Sequence, residues 1–142
     1  MPLSLPAQRV LTLEAARLAL AASEATALAS GWKVVIAVVD AGGHLVSAIR
    51  LDGTQTSSVD TAIGKARAAV AFKRPTRVLE EMINGGRVAF SDIPGGYALL
   101  QGGLPIEVEG QVIGGIGVSG VKASDDEIIA GAGVKALLAA LG

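Results

Sequence analysis

The strongest constraint on the fold of this chain is the shortness of the glycine-containing links between its apolar runs. Lys33–Asp40 and His44–Leu51 are joined by Ala41-Gly42-Gly43, Tyr97–Gln101 and Leu104–Val108 by Gly102-Gly103, and Leu104–Val108 and Gln111–Ser119 by Glu109-Gly110. Links of two or three residues return a strand only to an antiparallel neighbour, whereas a parallel pair needs a crossover of about a dozen residues or more. The five runs therefore predict a five-stranded antiparallel sheet. They also argue against the parallel sheet of a dinucleotide-binding fold.

Helical signals separate these runs. Leu11, Ala15, Leu18, Ala22, Ala25 and Ala29 recur every three or four residues, and Gly31 stops the pattern, which predicts a first amphipathic helix with an alanine-rich face. Ser57-Ser58-Val59-Asp60 opens a second helix, with Ala62, Ala66, Ala69 and Val70 on its apolar stripe, and Pro75 forbids its continuation. A short helix runs from Pro75 to Ile83 and ends at Asn84-Gly85-Gly86. Ser124-Asp125-Asp126-Glu127 has the form of a capping box, the Ser oxygen on a free N–H and Glu127 reaching back, and opens a last helix towards Leu141. The order α, ββ, αα, βββ, α predicts an α+β sandwich with helices flanking the sheet.

Composition narrows the chemistry. A chain of 142 residues suits one domain, 1–142, since domains cluster at about 100–150 residues. The formal charge of −1 offers no basic excess for nucleic acid or an acidic membrane. With no Cys and one His, thiolate cages, a cysteine nucleophile and a multi-histidine metal site are excluded, and no metal is expected. Charged residues are 18% of the chain against a usual share of about 25%, which points to self-association. No apolar run approaches the ~20 residues that span a bilayer, and Glu14, Arg17 and Glu24 interrupt the only stretch resembling a signal sequence. A cytoplasmic protein is expected.

Gly115-Ile116-Gly117-Val118-Ser119-Gly120 matches G-x-G-x-x-G, but its glycines lie inside a strand and no carboxylate follows ~20 residues later to take a ribose. Strand glycines instead let a helix or another subunit pack closely on the sheet. His44, at a strand start after Gly-Gly, is a candidate axial haem ligand or general base. Arg50 and Asp52 share a face, where they either pair with each other or orient a carboxylate-bearing ligand through the Arg fork. Lys65 interrupts a small, apolar helix face, so it either snorkels to solvent or is desolvated and reactive. Asp125 and Asp126 suit the first turn of a helix, where the dipole favours carboxylates.

Read together, Val38-Val-Asp-Ala-Gly-Gly-His-Leu45, Arg50-Leu-Asp-Gly53, Gly64-Lys-Ala-Arg-Ala-Ala-Val-Ala-Phe72, Gly102-Gly-Leu-Pro-Ile106 and Gly114-Gly-Ile-Gly-Val-Ser-Gly120, followed by Asp126-Glu127, strongly resemble the GlcG/HbpS-like family of haem-degrading domains, which includes the C-terminal domain of PduO-type proteins. The resemblance spans the first helix to the last. It implies a profilin-like α-β-α sandwich assembled as homo-oligomers from dimer to octamer, with haem as the cofactor of some members. Its recurrent polar positions correspond to Asp40, Arg50, Asp52, Lys65, Ser119 and Asp126, and its G-G-x-P turn to Gly102, Gly103 and Pro105. Three readings follow. The first is an oligomeric binder of a small organic ligand or tetrapyrrole at an intersubunit cleft, with His44, Arg50, Asp52, Lys65, Ser119, Asp126 and the Gly102–Pro105 turn around it. The second is a cofactor-free tautomerase, isomerase or lyase on a small carbonyl substrate, in which Lys65 or Asp52 moves the proton and Arg50 holds a carboxylate. The third is an accessory subunit of a larger enzyme.

Overall fold

The computed structural model describes residues 1–142. Helix α1 spans Leu13–Ala29, and the hairpin strands β1 and β2 span Val35–Asp40 and Leu45–Arg50. Helices α2 (Ser58–Phe72) and α3 (Thr76–Asn84) follow, then a 3₁₀ turn at Val88–Asp92, strands β3 (Gly103–Val108) and β4 (Gln111–Ser119), and helix α4 (Ala123–Ala140). The strands form one antiparallel sheet of four in the order β2-β1-β4-β3, with α1 and α4 on one face and α2 on the other. No helix is long and apolar enough to cross a membrane.

The first face carries the larger core. Ile36, Val38, Ile116 and Val118 alternate inwards and meet Ala16, Ala19 and Leu20 of α1 and Ile129, Ala130 and Leu137 of α4, all buried. The two helices come close enough at Gly133 that a Cβ there would lie 2.7 Å from the Ala19 carbonyl. Ser23 reaches across the same seam and donates its hydroxyl to the Ile129 carbonyl at 2.7 Å.

The opposite face is built on absent side chains. Register places Ala48, Ala37, Gly117 and Gly103 in one row across all four strands, so no group larger than a methyl stands on that line. The backbone of α2 rests on this row at Ala37, Gly117 and Gly103. A Cβ on Gly117 would overlap the Ala62 carbonyl, one on Gly103 would overlap the Lys65 carbonyl, and one on Gly115 would lie 2.7 Å from both the Ala66 carbonyl and Val70 Cγ2. The glycines of the apparent dinucleotide fingerprint are thus the seat of a helix.

Two expectations are corrected. The sheet has four strands rather than five, because Tyr97–Gln101 is irregular. Its side chains pack sideways: Leu99 joins Ala68, Leu79 and Phe90, Tyr97 sits edge-on to Phe72 at 5.2 Å, and the Gln101 N–H donates to Glu80 Oε2. Gly102, at φ +131, then turns the chain into β3 rather than closing a hairpin. The capping box also does not form. Helix α4 starts at Ala123, two residues ahead of the Asp125 that a Ser124 cap would place first, with no side-chain cap, and Glu127 accepts from Gln101 Nε2 instead of reaching back.

Gly117→Ala should lower the stability measured by urea unfolding by about 3 kcal/mol or more, because the helix backbone cannot move away cheaply. Gly131→Ala in α4, where the nearest atom is a Leu104 methyl at 3.8 Å, should be neutral or stabilising by up to about 1 kcal/mol.

Candidate functional site

The glycine row that seats α2 also determines where its one inward cation goes. Lys65 is only 3% exposed and leaves the helix beside Gly102, where the edge of the sheet has not yet begun. A Cβ at Gly102 would lie 2.8 Å from Lys65 Nζ and 2.7 Å from the Val118 carbonyl, so only glycine leaves the passage open. The ammonium donates to the Val118 carbonyl at 2.8 Å and to Asp126 Oδ2 at 3.1 Å. Asp126, 2% exposed, takes the Val121 N–H on its other oxygen at 3.2 Å. The pair therefore ties α2 on one face of the sheet to α4 on the other. Burial pushes the Asp126 carboxyl above its ordinary value of 3.8, against the pull of the Lys65 charge and of the hydrogen bonds from Lys65 and Val121.

Other predicted residues surround this pair. Gly103 donates its N–H to Thr76 Oγ1 at 2.8 Å, and Ser119 and Ser58 place their buried hydroxyls 3.3 Å apart. Pro105 is half-buried on the edge strand β3, in register with Gly115. Arg50 and Asp52 are exposed at the other edge of the sheet and form no ion pair with each other. Arg50 and Ser119 both pair with Val35, so two strand spacings, about 10 Å of backbone, separate them. Lys65, Asp126, Ser119, Gly102 and Gly103 are brought together; Arg50, Asp52 and His44 are not brought to them.

His44 stands at the opposite end of the hairpin. Asp40 Oδ1 accepts the N–H of Gly42 at 2.9 Å and of His44 at 3.0 Å, which fixes the turn and leaves the imidazole exposed, folded back over Gly42. Beneath the turn lies Arg67, which sequence reasoning passed over. It stands two positions after Lys65 on a different side of the helix, half-buried, and donates from Nη1 to the Gly43 carbonyl at 3.0 Å and from Nε and Nη2 to the Gly95 carbonyl at 3.3 and 2.9 Å. A cleft of about 70 Å³ opens here between Ala41–Gly43, Arg67, Val70, Ala71 and Tyr97. The signal in the sequence was a second cation in the same alanine stretch, but which loops would abut it is a tertiary matter.

These features define a small α+β protein with an antiparallel sheet between helical layers, a closed ion pair inside, and an exposed imidazole on a turn held by Asp40 and Arg67 outside. The family described as "Haem degrading protein HbpS-like" matches residues 11–135. The chain is 40% identical over 110 residues to Protein GlcG of Escherichia coli, covering 78% of this chain and 81% of that one. It therefore belongs to the HbpS-like family. The crystal structure of a double mutant of Streptomyces reticuli HbpS superposes with a TM-score of 0.86 at 36% identity, covering 100% of this chain and 97% of that one. A PduOC:haem complex superposes at 0.81 with 27% identity, covering 90% and 95%.

Two predictions concern the buried pair. Lys65→Met should cost about 3–5 kcal/mol in urea unfolding by stranding Asp126, whereas Lys65→Met with Asp126→Leu should recover most of that loss. Because the folded carboxyl titrates above 3.8, the folded state holds that proton more tightly than the unfolded chain. Its contribution is therefore full below 3.8 and is lost as pH rises through the folded value. The stability of wild type minus that of Asp126→Asn should fall with rising pH across that window; a difference that rises would place the carboxyl below its ordinary value.

Proposed function

We propose that this protein binds a tetrapyrrole, or a comparable flat ligand bearing carboxylates, on the surface around the β1–β2 turn, where copies of the chain meet in a homo-oligomer. The observation that carries this reading is His44: the chain's one imidazole is exposed, held on a turn closed by Asp40, and engaged by no hydrogen bond from its ring. An imidazole presented in this way suits ligation of haem iron, and membership of the HbpS-like family together with likeness to a PduOC:haem complex supports that choice. When bound, haem supplies a redox-active iron and a Soret absorption.

The residues fit a ligand lying on the surface rather than one swallowed by the fold. A cleft of about 70 Å³ is too small for a macrocycle, and Tyr97 is the one ring beside it, so the second wall of the site would come from a neighbouring copy. Exposed Leu13, Leu28, Ile128 and Leu138 on the outer helices give such copies apolar surface to cover. Arg50 and Asp52, also exposed, suit contacts with ligand or neighbour. Burial of Lys65 in its ion pair supports a holding role for Lys65, Asp126, Ser119, Gly102 and Gly103, which shape the sheet edge carrying Pro105.

Titration of micromolar protein with haemin should give a stoichiometric Soret band in wild type and none in His44→Ala of unchanged melting temperature. Absence of a band in wild type, or an identical band in the variant, would overturn the assignment.

A further inference from the structure

Arg67 is a charge without a counter-charge. Arg9 and Arg77 pair with carboxylates, whereas Arg67 is half-buried and each of its three hydrogen bonds ends on a main-chain carbonyl. Carbonyls orient a guanidinium, but they do not neutralise it, and a positive charge partly removed from water without an anion is costly. Three of its five N–H groups are used, leaving one on each terminal nitrogen without a partner in the chain. The side chain is also stiffened, because its bonds clamp the β1–β2 turn on one side and the Gly95 loop on the other. A fork held in this way loses little entropy when it binds.

The one carboxylate of the turn, Asp40, is engaged by the N–H groups of Gly42 and His44 and makes no ion pair with Arg67. Gly95 and Gly96 both have positive φ and neither donates its N–H to a main-chain acceptor. The cleft beside the guanidinium, about 70 Å³, holds several times the 10–15 Å³ or so that one water needs. That space admits a carboxylate group with a water or two. One unmatched positive charge calls for one negative charge, which favours a carboxylate over a dianionic phosphate.

We propose that Arg67 binds a carboxylate group of the ligand at the cleft beneath the His44 turn. The proposal rests on the reading that this turn carries the ligand, and it names the class: a molecule with a carboxylate that reaches Arg67 while its body lies against His44. Arg67 is then a binding residue as well as a clamp between two loops.

Amide and guanidinium chemical shifts of the full-length wild-type protein, followed by NMR during titration with sodium propionate, test this without altering the fold. Saturable shifts should centre on Gly43, Gly95, Gly96 and the Arg67 Nε–H, and should be absent with the uncharged isostere propionamide. Arg67→Gln should weaken propionate binding by about tenfold and Arg67→Lys by less, in line with the loss of a charge-assisted fork. Shifts elsewhere, equal shifts with propionamide, tighter binding of inorganic phosphate, or an unchanged affinity in Arg67→Gln would each overturn the proposal. Haemin separates the two claims. Propionate bound at Arg67 with no haemin band sinks the tetrapyrrole reading and keeps the carboxylate site, whereas a His44-dependent band with no propionate response does the reverse.

Discussion

The fold depends on how closely the α2 backbone approaches the sheet. A helix usually packs on a sheet through two layers of side chains, but here the row Ala48, Ala37, Gly117 and Gly103 removes one layer, and the helix supplies little more than Ala62, Ala66 and its own carbonyls. Dispersion gains rise with such contact because interior atoms keep partners on every side. The cost is that Gly117 and Gly103 on this line are intolerant of a methyl group. A chain with few aromatic residues reaches a dense core in this way, by proximity instead of by volume.

That approach has a chemical consequence. With α2 lowered onto the sheet, Lys65 has no route to solvent along the helix face, and its ammonium emerges instead where β3 has yet to start. Asp126, in the first turn of α4, meets it there. An ion pair this deep gains from Coulomb attraction but loses hydration on both partners, so its net stabilisation is small, while the loss of either partner is severe. Its clearest effect is geometric: it sets the spacing of the α2 and α4 layers around the Gly102–Gly103 turn. The surface turn follows an opposite logic. Asp40 spends its carboxylate on two N–H groups and Arg67 its fork on two loops, so the exposed His44 is presented from a rigid base.

The sequence alone was enough for the hairpin from Val35 to Arg50, the pairing of β3 with β4, the helices, the family, and the use of the strand glycines for packing. Each of these follows from local rules: period, link length and stop signals act within a few residues of one another. Tertiary structure decided the rest. Tyr97–Gln101 has strand-like composition, yet it packs on Phe72, Phe90 and Leu79, because the aromatic gap beside α3 offered more burial than another sheet edge. Lys65 and Asp126 are 61 residues apart, and Arg67 meets carbonyls 24 and 28 residues away. Nothing in a linear pattern of alanines says which cation on a helix will face a gap in the sheet and which a pair of loops; only the register of the strands beneath the helix determines that.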